Sequence, residues 1–113
     1  MDWLKENKQV YDVMVVDPPA FAKSLEKRHN AVQAYKRLNI AAIKALASNG
    51  ILFTFSCSQV VDKQLFYDTI VSAAMECNRN VRVLHHLSQP ADHPINIFHP
   101  EGSYLKGLVL YVE

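Results

Sequence analysis

Two residues in this chain combine reactive chemistry with a place that exposes it. Asp17 closes the run Val13-Met14-Val15-Val16 and is followed by Pro18 and Pro19; Cys57 lies between Ser56 and Ser58, directly after Ile51-Leu52-Phe53-Thr54-Phe55. A carboxylate at a strand end can take a proton or a hydrogen bond from a polarised substrate. A cysteine between small hydroxyl residues can attack as a thiolate. Each also has a plainer reading. Asp17 can cap a turn, and burial is the common fate of a free cysteine.

The elements that must position them follow from apolar patterning. Val13 to Val16 show no alternation, as expected of a central parallel strand covered on both faces. Pro18 and Pro19 lack N–H donors, so the backbone leaves the sheet right after Asp17. Asp17 is thereby placed at the carboxyl end of a strand, the edge where open α/β sheets bind ligands. Beyond a polar loop over 22–30, residues Ala31, Val32, Tyr35, Leu38, Ala42, Ile43 and Leu46 recur at three and four and predict a long amphipathic helix. Ser48-Asn49-Gly50 is its expected end, with Asn49 or Gly50 in the left-handed cap conformation. Ile51 to Phe55 then forms a second strand. Strand, crossover helix and strand make a right-handed βαβ unit with parallel strands. If these strands are neighbours, roughly 4.8 Å apart, Asp17 and Cys57 leave the sheet at one edge and can share a ligand.

Asp62 is placed to cap another helix, whose buried stripe is Leu65, Phe66, Ile70, Ala73, Ala74 and Cys77. Cys77 is therefore expected in the core. Val81 to Leu87 and Leu105 to Val112 read as third and fourth strands. Between them the segment 88–103 holds three prolines, two histidines and Asp92, and loops this long in compact domains are often functional. Asp2 to Gln9, anchored by Trp3 and Leu4, reads as the last turns of a helix, which suggests that something normally precedes it.

With 113 residues, half hydrophobic and a fifth charged, the chain suits one packed domain and not a disordered segment. Its formal charge of +1 excludes no partner, since basic residues can gather on one face. Cys57 and Cys77 do not form a disulfide framework, and no spanning apolar run or signal peptide occurs, so a reducing, cytoplasmic setting without membrane contact is expected. Lys23, Lys27, Arg28 and His29 could meet phosphates or simply solvate a helix entry. Cys57 with His93 and Asp92 has the composition of a thiol hydrolase, though no nucleophile elbow precedes the cysteine. His85, His86, His93 and His99 lack zinc-ligand spacing, and no metal is expected. Gly50, Gly102 and Gly107 are the only glycines, so there is no glycine-rich phosphate loop.

Four blocks in order, Asp17-Pro18-Pro19-Ala20-Phe21, Phe55-Ser56-Cys57-Ser58, Ala91-Asp92-His93-Pro94 and Pro100-Glu101-Gly102-Ser103-Tyr104-Leu105-Lys106-Gly107, give the chain a resemblance along nearly its whole length. It resembles the C-terminal half of the cytosine-5 RNA methyltransferases that act on bacterial large-subunit ribosomal RNA. The resemblance implies an α/β chain forming the second half of a Rossmann-like methyltransferase fold, with a mixed sheet of about four strands and flanking helices. It implies S-adenosylmethionine as cofactor and ribosomal RNA as substrate. Cys57 would add to C6 of cytosine, and Asp17 would contact the N3 and N4 edge of the base. Pro18, Pro19 and Phe21 would help to hold a base splayed from its stack. Asp92 and His93 would lie near the pocket as substrate-binding residues, and Asp17 and Pro18 would also touch the cofactor.

The family's glycine-rich turn, its acidic residue after the second strand and its RNA-binding domain have no counterpart here. Residues 1–113 are accordingly expected to be the C-terminal half of a catalytic domain, with an incomplete cofactor site and no activity alone. In the family the strand matching Val10 to Asp17 pairs on both sides, so its freed edge predicts a homo-oligomer joined through that strand. Two other functions stay open. One is methylation of an exocyclic amine of RNA or DNA, with Asp-Pro-Pro and an aromatic gripping a flipped base. The other is a non-catalytic assembly module that kept the fold.

Overall fold

The computed structural model describes residues 11–19, 25–58, 60–88 and 105–113. In chain order these form β1 (Tyr11–Val16), a 3-10 turn (Leu25–Lys27), α1 (Arg28–Ala45), β2 (Leu46–Ser56), α2 (Lys63–Cys77), β3 (Val81–Leu87) and β4 (Lys106–Val112). The strands make one sheet in the order β1-β2-β4-β3. β1 and β2 are parallel, and β4 runs antiparallel to both β2 and β3. The α/β class and the mixed four-stranded sheet expected from the sequence are both present.

Both helices cover one face of this sheet. Register places Val16 beside Thr54, Leu52 beside Leu110, and Thr54 beside Leu108. This row joins Ala31, Tyr35, Ala42, Ile43, Phe66, Ile70 and Ala73 in a single core. Tyr35 of α1 and Phe66 of α2 meet edge to face, their ring centroids 6.1 Å apart, the arrangement that the ring quadrupoles favour. Within this apolar layer one polar pair is fully buried. Thr54 donates to Asn39 Oδ1 at 2.6 Å, and Asn39 Nδ2 donates to the Tyr35 carbonyl at 2.8 Å. A helix side chain thus carries a strand hydroxyl without leaving a polar group unmatched.

α2 begins as the sequence predicts: the Asp62 carboxylate accepts from Leu65 N at 2.7 Å, supplying an acceptor for one of the orphan donors of a helix N-terminus. Cys77 packs against the core as a half-buried residue, its sulfur 3.6 Å from the Ile40 carbonyl oxygen.

Three expectations need correction. α1 begins at Arg28, three residues before the predicted start, because the 3-10 turn at Leu25–Lys27 already winds the chain. It ends at Ala45, with Leu46 extended, and β2 begins there and not at Ile51. The reason lies across the fold. Arg79 donates to the carbonyls of Ile43 at 2.5 Å, Leu46 at 2.6 Å and Ala47 at 3.1 Å. Its planar fork thus satisfies carbonyls that a left-handed glycine cap would otherwise serve. Asn49 does adopt a positive φ of 67°, but inside β2, where the register with β1 shifts between Tyr11 and Val13. Gly50 is required there for space: a Cβ would stand 2.9 Å from the Ala47 carbonyl oxygen and 3.2 Å from that of Asp12.

The third correction concerns β1. Among the described residues it pairs with β2 alone, an edge strand with the freed side expected of it, but it is not covered on both faces. Val13 and Val15, on the face away from the helices, are 58% and 65% exposed. Its unbroken apolar run therefore does not reflect cover on both faces within the described residues.

Candidate active site

The parallel pairing of β1 with β2 decides the site. Val16 and Ser56 are the last residues of the two strands, and Val16 stands opposite Thr54. Asp17 and Cys57 are each the first residue beyond a strand, at the same edge of the sheet. Asp17 is exposed, Pro18 half-buried and Pro19 exposed. An Asp-Pro-Pro turn presents a carboxylate and backbone carbonyls with no proline N–H to compete, a set of acceptors suited to amino groups. Phe21, Asp92 and His93 lie outside the described residues, so the Phe21 contribution and any thiol-hydrolase grouping have no structural account.

Cys57 is half-buried between two fully buried serines. The Ser58 amide donates to Ser56 Oγ at 3.3 Å, and Val61 N donates to the Ser58 carbonyl oxygen at 3.4 Å. These contacts turn the chain sharply as it leaves β2 and fix the flanks of the cysteine. Arg28 Nε donates to the Val60 carbonyl at 2.8 Å. The start of α1 is thereby tied to the same turn, and this member of the basic group suggested for phosphate contact has a structural role. Lys27 and His29 are exposed, and Lys23 lies outside the described residues.

Sequence reasoning missed the role of Lys106. It stands opposite Ser56 in the β2–β4 ladder, is only 7% exposed, and its Nζ donates to the Ser58 carbonyl oxygen at 2.6 Å. Burial pushes its ammonium below the ordinary lysine value, opposed by the nearby Cys57 and Asp62. The signal was present. Lys106, Leu108, Leu110 and Val112 alternate onto one face, and the last three are core residues; a lysine in phase with such a row must have a buried partner. Gly107 faces the other way, where a Cβ would come within 2.6 Å of the Phe55 ring. Glycine at this position lets Phe55 lie across β4 beside the site.

Among the described residues no three His, Cys, Asp or Glu side chains come together as metal ligands. His86 stacks on Tyr67 of α2, with centroids 5.8 Å apart. None of the described helices is long and apolar enough to cross a membrane.

No family model matches the chain. Individual proteins do. It is 42% identical over 106 residues to ribosomal RNA large subunit methyltransferase I of Aeromonas salmonicida, covering 94% of this chain and 27% of that protein. The protein of that name from Photobacterium profundum is 39% identical over 109 residues, covering 96% and 28%. The chain therefore spans little more than a quarter of the curated relatives it matches. A candidate S-adenosylmethionine-dependent methyltransferase from Streptococcus mutans has a similar structure, with a TM-score of 0.78 at 21% identity over 98% of this chain and 28% of that one. A candidate DNA modification methylase from Thermus thermophilus follows at 0.63 and 11% identity, covering 99% and 50%. At such identities these likenesses show the fold alone. The chain is thus similar along nearly its whole length to one segment of ribosomal RNA large subunit methyltransferase I, and its sheet and helices share the Rossmann-like α/β fold of part of these solved structures.

Proposed function

We propose that this chain is the C-terminal half of the catalytic domain of an S-adenosylmethionine-dependent methyltransferase, one that methylates C5 of a cytosine in ribosomal RNA through a covalent bond to Cys57. The observation that carries this reading is the placement of Asp17 and Cys57 at the ends of adjacent parallel strands. Its family context is the identity of about two residues in five to ribosomal RNA methyltransferases.

On this reading each residue has a defined task. The Cys57 thiolate donates an electron pair to C6 of the base, and the C5=C6 pair shifts into the ring so that C5 becomes nucleophilic. Asp17 accepts from the N4 amino group and passes a proton to N3 as negative charge builds there, taking it back when C5=C6 re-forms. S-adenosylmethionine, when bound, supplies an electrophilic methyl group. Once C5 carries the methyl, its proton passes to water, the C5–H pair restores C5=C6, and the S–C6 pair returns to Cys57. Two accessible steps replace a direct attack by an unactivated ring carbon. Pro18, Pro19 and Phe21 belong to the wall for the splayed base, with Asp92 and His93 on the neighbouring loop.

The acceptor-rich Asp17-Pro18 turn fits the amino groups of the cofactor as well as those of cytosine. No glycine-rich turn is available to cradle the rest of the cofactor, since the three glycines are Gly50, Gly102 and Gly107. These residues supply one side of the site, and the chain alone is inactive. A ribosomal RNA substrate goes with a cytoplasmic location. Among the described residues no strand pairs the outer edge of β1, and that edge with its exposed valines supports self-association through the strand.

The test is Cys57→Ala in the complete methyltransferase that carries this segment, with mass spectrometry of the ribosomal RNA nucleosides. The expected result is loss of 5-methylcytidine with the fold intact. Persistence of 5-methylcytidine would remove Cys57 as the nucleophile, and an N4-methylated product would favour the exocyclic-amine reading that Asp-Pro-Pro also permits. If neither the parent nor the variant methylates RNA, the chain is a retained assembly module.

A further inference from the structure

We propose that Lys106 is the positioning residue of the Cys57 turn, holding its backbone through Ser58 and keeping a fixed positive charge beside the sulfur. The proposal rests on Cys57 being the nucleophile, and deepens that reading by assigning the charge that its thiolate meets.

The geometry carries the argument. β4 delivers Lys106 opposite Ser56, the last residue of β2, from the face that is otherwise core. Its Nζ reaches past that pair to the carbonyl of Ser58 at 2.6 Å, so the contact spans the backbone of Cys57 itself. A buried ammonium is costly unless it has partners. Among the described residues its hydrogen bond is to one neutral carbonyl, which occupies one N–H and carries no charge to offset the ammonium. Asp62 lies near enough to favour the charged form, as does Cys57 when ionised, but the Asp62 carboxylate is already engaged at the α2 N-cap. Asp17 is exposed at the neighbouring strand end, where water screens it. An anionic sulfur at Cys57 would therefore complete the surroundings of Lys106.

This arrangement suits a sulfur that must be anionic twice, once as it attacks and again as it departs. In addition the thiolate pair forms the S–C6 bond and the negative charge moves into the base. In elimination the S–C6 pair returns to sulfur. A fixed cation stabilises both anionic states without itself exchanging a proton.

Paired alkylating reagents can read that charge directly in the 113-residue chain. Iodoacetate is anionic and iodoacetamide neutral; both react with the thiolate, so the ratio of their rates cancels the thiolate fraction and reports local potential. Rates at Cys57 are followed by peptide-resolved mass spectrometry, which separates Cys57 from Cys77, with 2-mercaptoethanol as the uncharged reference. The wild-type ratio at low ionic strength is expected to exceed the reference about threefold or more, and to fall towards it as salt screens the charge. Lys106→Met should bring the ratio to the reference value, and Lys106→Arg should retain it. A wild-type ratio no higher than the reference overturns the proposal without any variant. So does an unchanged ratio in a folded Lys106→Met protein. A purely structural lysine would alter both rates together and leave the ratio alone. The outcome is independent of RNA chemistry, so loss of the Cys57 nucleophile reading by the nucleoside assay would be seen separately.

Discussion

Thr54 and Asn39 share a 2.6 Å hydrogen bond in a site that water does not reach, joining the C-terminal end of β2 to α1. Both side chains are fully buried, so removing one partner leaves the other without its bond. Thr54→Val is nearly isosteric, yet it should destabilise the chain by about 1–3 kcal/mol, the cost of an unmatched buried acceptor. Urea unfolding measures this. Adding Asn39→Leu to Thr54→Val should cost less than the two single changes summed, because the orphaned group disappears. Strict additivity would show that the bond contributes nothing.

Arg79 serves as the C-terminal cap of α1 from a distant part of the chain. Arg79→Met should cost about 2–3 kcal/mol, since hydrogen bonds from a charged donor are lost and their carbonyls remain. Amide hydrogen exchange should quicken most over 43–48. Arg79→Lys should recover only part of the stability, because a single ammonium cannot reproduce the planar fork. Full recovery by lysine would mean that charge, not geometry, ends the helix.

Two groups should make alkaline stability depend on pH with opposite signs. Burial raises the Cys77 thiol above its ordinary 9.0. Between 9.0 and the folded value the native chain keeps a proton that the unfolded chain has released. This contribution is whole below pH 9.0 and is lost as pH rises through the folded value. Burial lowers the Lys106 ammonium below 10.5. There the unfolded chain holds the extra proton, so stability rises with pH between the folded value and 10.5. Denaturant unfolding across this range should show Cys77→Ala losing less stability than wild type, and Lys106→Met gaining less. Parallel curves for wild type and both variants would contradict the assignments.

The side of β1 that no described strand pairs should make the chain self-associate. Val13 and Val15 are exposed and β-branched, and a strand edge unprotected by lysine or proline invites pairing with a second copy. Sedimentation equilibrium at tens of micromolar should reveal a dimer or larger species, and Val15→Lys should shift it towards monomer. A monomer at these concentrations would rule the association out.

Local rules in the sequence determined much of this molecule. The apolar run ending at Asp17-Pro18-Pro19 and the second ending at Ser56-Cys57-Ser58 fixed where two strands stop, because prolines and small polar residues cannot continue them. The three-and-four spacing from Ala31 revealed that α1 exists, though not its bounds, and the Asp62 cap fixed the start of α2, since both features act within a few residues. Parallel pairing of the first two strands followed from the crossover, and with it the placement of Asp17 and Cys57 at one edge of the sheet. Tertiary structure decided whatever depends on a partner remote in the chain. The end of α1 was misplaced because its cap is Arg79, more than thirty residues away, and not the adjacent Asn49-Gly50. Asn39 was absent from the predicted apolar stripe because its burial requires Thr54 on β2. The apolar run of β1 gave no hint that Val13 and Val15 would face solvent, because composition records which residues favour burial but not whether anything covers them. The burial of Lys106 was legible in its phase with Leu108, Leu110 and Val112, but its partner, the Ser58 carbonyl beside Cys57, is supplied only by the fold.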